Sequence, residues 1–203
     1  MTKYIIPQTD KVVWDSVPKA FIKSYTWGSD YMPVAYGQVA YVTDKGFAVR
    51  LVCHENDPKA VYFNYGDPVH TDSCLEFFPA FNDQSPYYIN LEANANGAYV
   101  CARRTCRKDK VPADQLIDVE ELRPKAEKHN GYWSVEYFIK NETINALFGV
   151  SEFPEGYTFK GNMYKCGDET AIPHFGSLYP IDLPSPDFHC SQFFGEFVIG
   201  KKE

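Results

Sequence analysis

The chain contains no stretch approaching the roughly 20 apolar residues that a membrane-spanning helix requires. Its opening, MTKYIIPQTD, holds no apolar core of signal-peptide length. These absences predict no membrane partner, and either a cytoplasmic location or a secreted protein whose signal has been trimmed. Basic residues are in deficit: 20 Lys and Arg against 27 Asp and Glu leave a net charge of -7. A phosphate-tracking surface needs clustered Lys and Arg, so no nucleic-acid partner is expected. Cysteine is sparse, with residues 53, 74, 101, 106, 166 and 190 forming no Cys-x-x-Cys pair. Several lie inside strand-like runs, as small hydrophobes do, which predicts free thiols. The five His (54, 70, 129, 174, 189) include no His-x-His or His-x3-His, so no metal site is expected from linear spacing. A structural calcium needs no linear motif, and loop oxygens of Asp67, Asp72 or Asp168 are compatible with one. Neither a Gly-x-Ser-x-Gly elbow nor a phosphate loop occurs, which removes the support for nucleophilic hydrolase and nucleotide chemistry. Repeats, low-complexity tracts and composition shifts are missing too, so residues 1–203 are expected to form one domain.

What the chain does have is aromatic side chains. Fifteen Tyr, fifteen Phe and three Trp make up 16%, punctuated by 14 Pro and 13 Gly, a mixture that favours many short strands. Alternation predicts a hairpin of residues 34–43 and 47–54 about Asp44-Lys45-Gly46, and a strand over 73–78. Residues 87–104 read as two strands around Asn96-Gly97, the pair favoured by a two-residue type I′ turn. That turn would set Asn94 against Tyr99, Glu92 against Cys101 and Asn90 against Arg103, giving a polar face of Asn90, Glu92, Asn94, Tyr99, Cys101 and Arg103. Residues 115–122 and 132–140 read as a further strand pair, 141–148 as a short helix capped by Asn141 or Thr143, and 193–199 as a closing strand. The expected fold is all-β, an antiparallel β-sandwich or jelly roll.

Glycoside hydrolysis needs two carboxylates about 5–10 Å apart. Glu76, Glu92 and Glu136 all lie in strand-like runs, so two of them could share a face; equally, they could form surface ion pairs, Glu92 with Arg103 for example. An aromatic-rich sandwich with an Asn- and Glu-bearing face also suits sugar binding. Pyranose C–H faces stack on aromatic rings, and the hydroxyls need fixed donors and acceptors. Against this, Tyr and Phe can fill a core with no ligand at all.

Several segments together resemble the family 9-like carbohydrate-binding proteins: DPVHTDSCLEFF (67–78), YYINLEAN (87–94), GNMYKCGD (161–168), PHFGS (173–177) and PDFH (186–189) ahead of FFGE (193–196). The resemblance covers roughly residues 20–200. It implies a DOMON-like β-sandwich, found as a xylanase-attached module or as a stand-alone, xylanase-like protein whose defining activity is binding and not cleavage. Xylanase-attached relatives grip the terminal sugar of cellulose or xylan between two Trp rings, with carboxylate, amide and Arg groups reading the hydroxyls. Glu76 matches the sugar-binding carboxylate. His70 stands where the first Trp would be, Phe188 where the second would be, and Asn90 replaces an Arg. Stand-alone relatives show a Trp at the position of Leu178, beside Tyr179. The site this implies has His70, Phe188 and Tyr179 as aromatic walls and Glu76, Asn90, Glu92 and Arg103 as hydrogen-bonding groups, with no catalytic residue. The ligand would be a xylan- or glucan-type oligosaccharide or polysaccharide, or its chain end. Two alternatives stand beside it: an endo-1,4-beta-xylanase-like hydrolase using Glu76 with Glu92 or Glu136, and a degenerate sandwich that binds a protein partner.

Overall fold

The computed structural model describes residues 3–28 and 30–202. Its strands are β1 (Tyr4–Thr9), β2 (Ala20–Ile22), β3 (Ala35–Val42), β4 (Gly46–Cys53), β5 (Cys74–Ala80), β6 (Tyr88–Asn94), β7 (Tyr99–Arg104), β8 (Lys110–Pro112), β9 (Lys125–His129), β10 (Tyr132–Lys140), β11 (Thr158–Gly167), β12 (His174–Ser177) and β13 (Gly195–Lys202). They join into one curled sheet in the order β8-β7-β6-β5-β11-β13-β1-β3-β4-β10-β9, with β12 beside β11 and β2 beside β3. The sandwich is not wholly antiparallel. β1 runs parallel to both β13 and β3, and so joins the two halves of the sheet.

Alternation along β5 shows how the layers form. Leu75 and Phe77 point into the larger core, against Val49 and Leu51 of β4, Leu91 of β6 and Met163 of β11. Cys74 and Phe78 point the other way, into a second cluster with Tyr88, Tyr164, Phe188 and Phe194. At the end of the larger core Phe47, Phe81, Phe153 and Phe159 pack ring against ring, with centroids 4.7–6.1 Å apart. The aromatic excess thus fills two layers instead of one.

Three local readings change. Residues 115–122 form 3-10 turns and no strand, since Asp118 accepts from the Glu120 N–H and starts a turn over Val119–Leu122. The hairpin partner of β10 is β9, joined through Asn130-Gly131 with Gly131 in the left-handed region, while β4 pairs along its other edge. The helix α1 (Asn141–Phe148) forms as expected and ends at left-handed Gly149, but Lys140 is its N-cap. Asn141 donates to the Tyr41 hydroxyl, and Thr143 turns to Glu121. Ten-residue β11 gave no alternating signal, because Lys165 and Asn162 are fully buried within it. Among the described residues no helix is long and apolar enough to cross a membrane.

The fourth change decides the site. Between β6 and β7 the Asn94 N–H donates to the Ala98 carbonyl (3.1 Å), which leaves a turn of three residues, Ala95, Asn96 and Gly97, of which only Gly97 takes a positive φ (81°). Asn94 Oδ1 accepts from the N–H groups of Asn96 and Ala98, both at 3.0 Å, and so fixes the longer loop. The register becomes Glu92 opposite Val100, Asn90 opposite Ala102 and Ile89 opposite Arg103, one residue from the two-residue-turn expectation. Since side chains alternate, that single step turns all of β7 over. Tyr99 and Cys101 join the core, and Arg104 instead of Arg103 shares a face with Asn90 and Glu92.

Candidate functional site

A cleft of about 410 Å³ opens over the outer face of β5, β6, β7 and β11. Glu76 on β5 and Glu92 on β6 sit opposite each other on its floor. Arg104, Lys110, Cys166 and Asp168 extend that floor, and His70 stands exposed at the rim. The loop before β13 closes the other side with Asp187, Phe188 and His189.

A continuous row of hydrogen bonds fixes the polar groups. Glu92 Oε1 accepts from Asn90 Nδ2 (2.6 Å), and Asn90 Oδ1 from Arg104 Nε (2.8 Å). Arg104 Nη1 donates to the Arg107 carbonyl, and Arg107 holds Asp187 Oδ1 through two N–H groups at 2.9 and 3.0 Å. Asp187 Oδ1 also accepts from the His189 N–H, and His189 Nδ1 meets the Tyr88 hydroxyl at 3.0 Å. Beyond this row, Glu76 Oε1 accepts from Cys166 Sγ at 3.0 Å. The aromatic wall is equally fixed: Phe188 stacks on Tyr164 with centroids 4.1 Å apart and planes 8° apart, and Trp27 and Phe175 pack at its edges.

Burial dominates the electrostatics. Glu76 is 2% exposed, and burial, reinforced by Cys166 and by Glu92 opposite, holds its carboxyl well above the usual range. Burial raises Glu92 as well, against the pull of Asn90, His70 and Arg104. Asp168 is raised by burial, with His70 and Arg107 opposing. His189 is pushed down to about 3 by burial and then by Arg104 and Arg107. Burial thus disfavours charge on the Glu76, Glu92 and Asp168 carboxyls and on the His189 imidazole, while Arg104 and Arg107 stand beside them as guanidinium donors held by hydrogen bonds.

Of the expected site residues, Glu76, Glu92, His70 and Phe188 come together in the cleft. Asn90 is fully buried behind it, where it orients Glu92 and Arg104. Arg103 is not in the site: the register shift places its guanidinium 4.3 Å over the Tyr87 ring, where it donates to the Leu147 carbonyl and makes no ion pair with Glu92. Tyr179 is not there either. Its ring packs in the main core against Phe197 and over Gly195, where a Cβ would lie 2.3 Å from it, and its hydroxyl donates to the Glu196 carbonyl. Glu136 pairs with Arg50 on β4, away from the cleft. Asp67 and Asp72 hold loop N–H groups of Phe63, Asn64, Val61 and Tyr62, and among the described residues the three calcium candidates gather into no common group. Sequence reasoning missed Arg104, Arg107, Lys110, Asp187 and His189. The three-residue loop was the signal for Arg104, and Asp187 and His189 flank Phe188 in the PDFH segment.

Comparison with solved structures places this architecture among known ones. A candidate carbohydrate-binding protein from Bacteroides uniformis ATCC 8492 superposes with a TM-score of 0.81 at 23% identity, over 96% of this chain and 97% of that one. A carbohydrate-binding module of family 9 from Caldicellulosiruptor kristjanssonii, solved with cellotriose, gives 0.69 at 11% identity over 98% and 95%. The glucose-bound form of a family 9 module from the same organism gives 0.68 at 13% over 98% and 97%. No curated protein matches the chain. The model of carbohydrate-binding family 9 matches residues 8–199, nearly the whole sandwich and every wall of the cleft, and the chain belongs to that family.

Proposed function

We propose that the protein binds carbohydrate in this cleft without cleaving it, and that the ligand is the end of a xylan- or glucan-type chain. The observation that carries the reading is the immobilised polar row of Glu92, Asn90 and Arg104, with Glu76 alongside, facing the Phe188 wall. A sugar presents hydroxyls that both donate and accept, and an apolar C–H face, and the cleft meets both. Its volume lies in the range of small-molecule sites. Family membership supports the same reading, as do the cellotriose and glucose bound by the Caldicellulosiruptor modules. Phe188 and His70 offer smaller faces than Trp, so each stacking contact contributes about 0.5–1.5 kcal/mol or less beyond burial.

Calorimetric titration against cello- and xylo-oligosaccharides, each intact and with its reducing end reduced, tests this directly. Binding of the intact sugars that disappears on reduction is expected. The absence of heat with all of them overturns the glucan and xylan assignment. In the same assay Arg104→Ala should weaken binding about ten-fold or more, since a hydrogen bond to a charged group contributes about 1.5–3 kcal/mol. Arg103→Ala should leave affinity unchanged. The reverse order would restore the two-residue turn register.

A further inference from the structure

We propose that Cys74, Cys166 and Glu76 form a binding site for a thiophilic divalent cation of the zinc type at the floor of the cleft, with Cys166 and Glu76 lining it and Cys74 buried just beneath. Cys74 and Cys166 are direct cross-strand partners on β5 and β11, and Glu76 follows Cys74 by two residues. All three side chains therefore leave the same face of the sheet. Two sulfurs and a carboxylate oxygen lie within 4.8 Å of one another, with Cys166 Sγ 3.0 Å from Glu76 Oε1. Thiolates at the 2.3 Å distance of tetrahedral zinc stand about 3.8 Å apart, so small side-chain rotations complete the geometry. This is no surface acid cluster, for the three residues are at most 2% exposed.

The chemistry of the donors selects the ion. A pair of thiolates favours zinc-like metals over calcium or magnesium. Cys166 donates to Glu76, while Cys74 Sγ has the Leu75 carbonyl at a long 3.9 Å. On binding, each thiol gives its proton to solvent, and the carboxyl releases its own where it holds one. Two thiolates, a carboxylate and a divalent ion carry a net charge of -1, and Arg104, Arg107 and Lys110 line the same cleft to balance it. Glu76 and Cys166 line the cleft, so a water or a ligand oxygen entering from it would complete a four-ligand set, as in metal sites with three protein ligands. No linear motif reveals this set, because β5 and β11 are brought side by side only by the fold.

The test uses the full chain carrying Cys106→Ser, which removes the exposed thiol, kept reduced with a phosphine and titrated with cobalt(II) and then zinc(II). One equivalent should bind, with thiolate-to-cobalt charge-transfer absorption that zinc displaces. X-ray absorption of the zinc form should show two sulfur neighbours at about 2.3 Å. Cys74→Ser and Cys166→Ser should each weaken binding about 100-fold or more, beyond the 10–100-fold typical of outer-shell changes. No charge-transfer band, a band unchanged in both variants, or fewer than two sulfurs around zinc overturns the proposal. Where a variant fails to fold, the zinc spectrum of the parent decides alone. No sugar enters these measurements, so this inference and the carbohydrate reading stand or fall separately.

Discussion

Lys165→Met should destabilise the protein by about 3–5 kcal/mol, because it leaves a buried carboxylate without its counter-charge. Lys165 is fully buried, and its Nζ donates to Ser73 Oγ (2.9 Å), the Cys166 carbonyl (2.8 Å) and His174 Nε2 (2.6 Å), 3.7 Å from Glu55 Oε2. Burial opposes ionisation of Glu55, yet Lys165, Ser73 and Trp133 overcome it and hold the carboxyl below its usual range. His174 Nδ1 lies 2.8 Å from the Ile172 carbonyl and so carries the ring proton, which leaves Nε2 to accept from the lysine. Burial, and Lys165 after it, lower His174 to about 4. The unfolded chain takes up this proton near pH 6.5, so the stability it contributes is lost as pH falls from about 6.5 to 4. Urea unfolding at pH 7 measures the effect of Lys165→Met. A loss below about 1 kcal/mol would show that water, and not the lysine, solvates Glu55. Adding Glu55→Gln should recover much of the loss, since the two residues act as one unit.

Glu76→Gln works in the opposite direction: it should stabilise the fold, increasingly so at higher pH. The native carboxyl holds its proton above the usual range because burial disfavours its charge. Above about pH 4.5 the unfolded chain ionises while the native one does not, so wild-type stability declines relative to the Gln variant by up to about 1.4 kcal/mol per pH unit until the native carboxyl titrates. Gln keeps the shape and the oxygen that accepts from Cys166. Unfolding midpoints of both proteins between pH 5 and 8, in chelator, provide the check. A pH-independent difference, or a less stable variant, would make Glu76 an ionised structural residue. A buried acid that costs stability is what a binding site retains for its ligand.

Much of the fold was legible because its strands carry their own period. The 34–54 hairpin, β5 and β10 are alternating runs with turn residues between them, and the helix is bounded by Gly149. What escaped depended on partners far away in sequence. β11 hides Lys165 in the interior, where Glu55, Ser73 and His174 make a charge tolerable, and no local pattern announces such compensation. Residues 115–122 carry hydrophobes suited to a strand, but Asp118 holds its neighbours in a turn. At the site, Glu76, Glu92, His70 and Phe188 were reachable through segment resemblance. Asn96-Gly97 fits a two-residue turn, which puts Arg103 opposite Asn90, but the side chain of Asn94 settles a longer loop and brings Arg104 to that face. Tyr179 was expected at the site only through its place beside Leu178 in the segment resemblance, but its ring faces the core.

The parallel seam at β1 also bears on synthesis. Tyr4, Ile5 and Ile6 pair with Phe197, Val198 and Ile199, and Gln8 and Thr9 with Tyr41 and Val42, so β1 bridges strands some 190 and some 30 residues away. The half built from β3, β4, β9 and β10 can assemble as the ribosome releases it. The half bearing the cleft cannot be joined to it until β13 has emerged. Such distant pairings slow folding, because the loop entropy is lost before the contacts form. Until then the nascent chain carries Ile6 and Phe159 unpaired, apolar side chains that the finished molecule buries completely, and surface exposed in that interval is the kind that promotes aggregation.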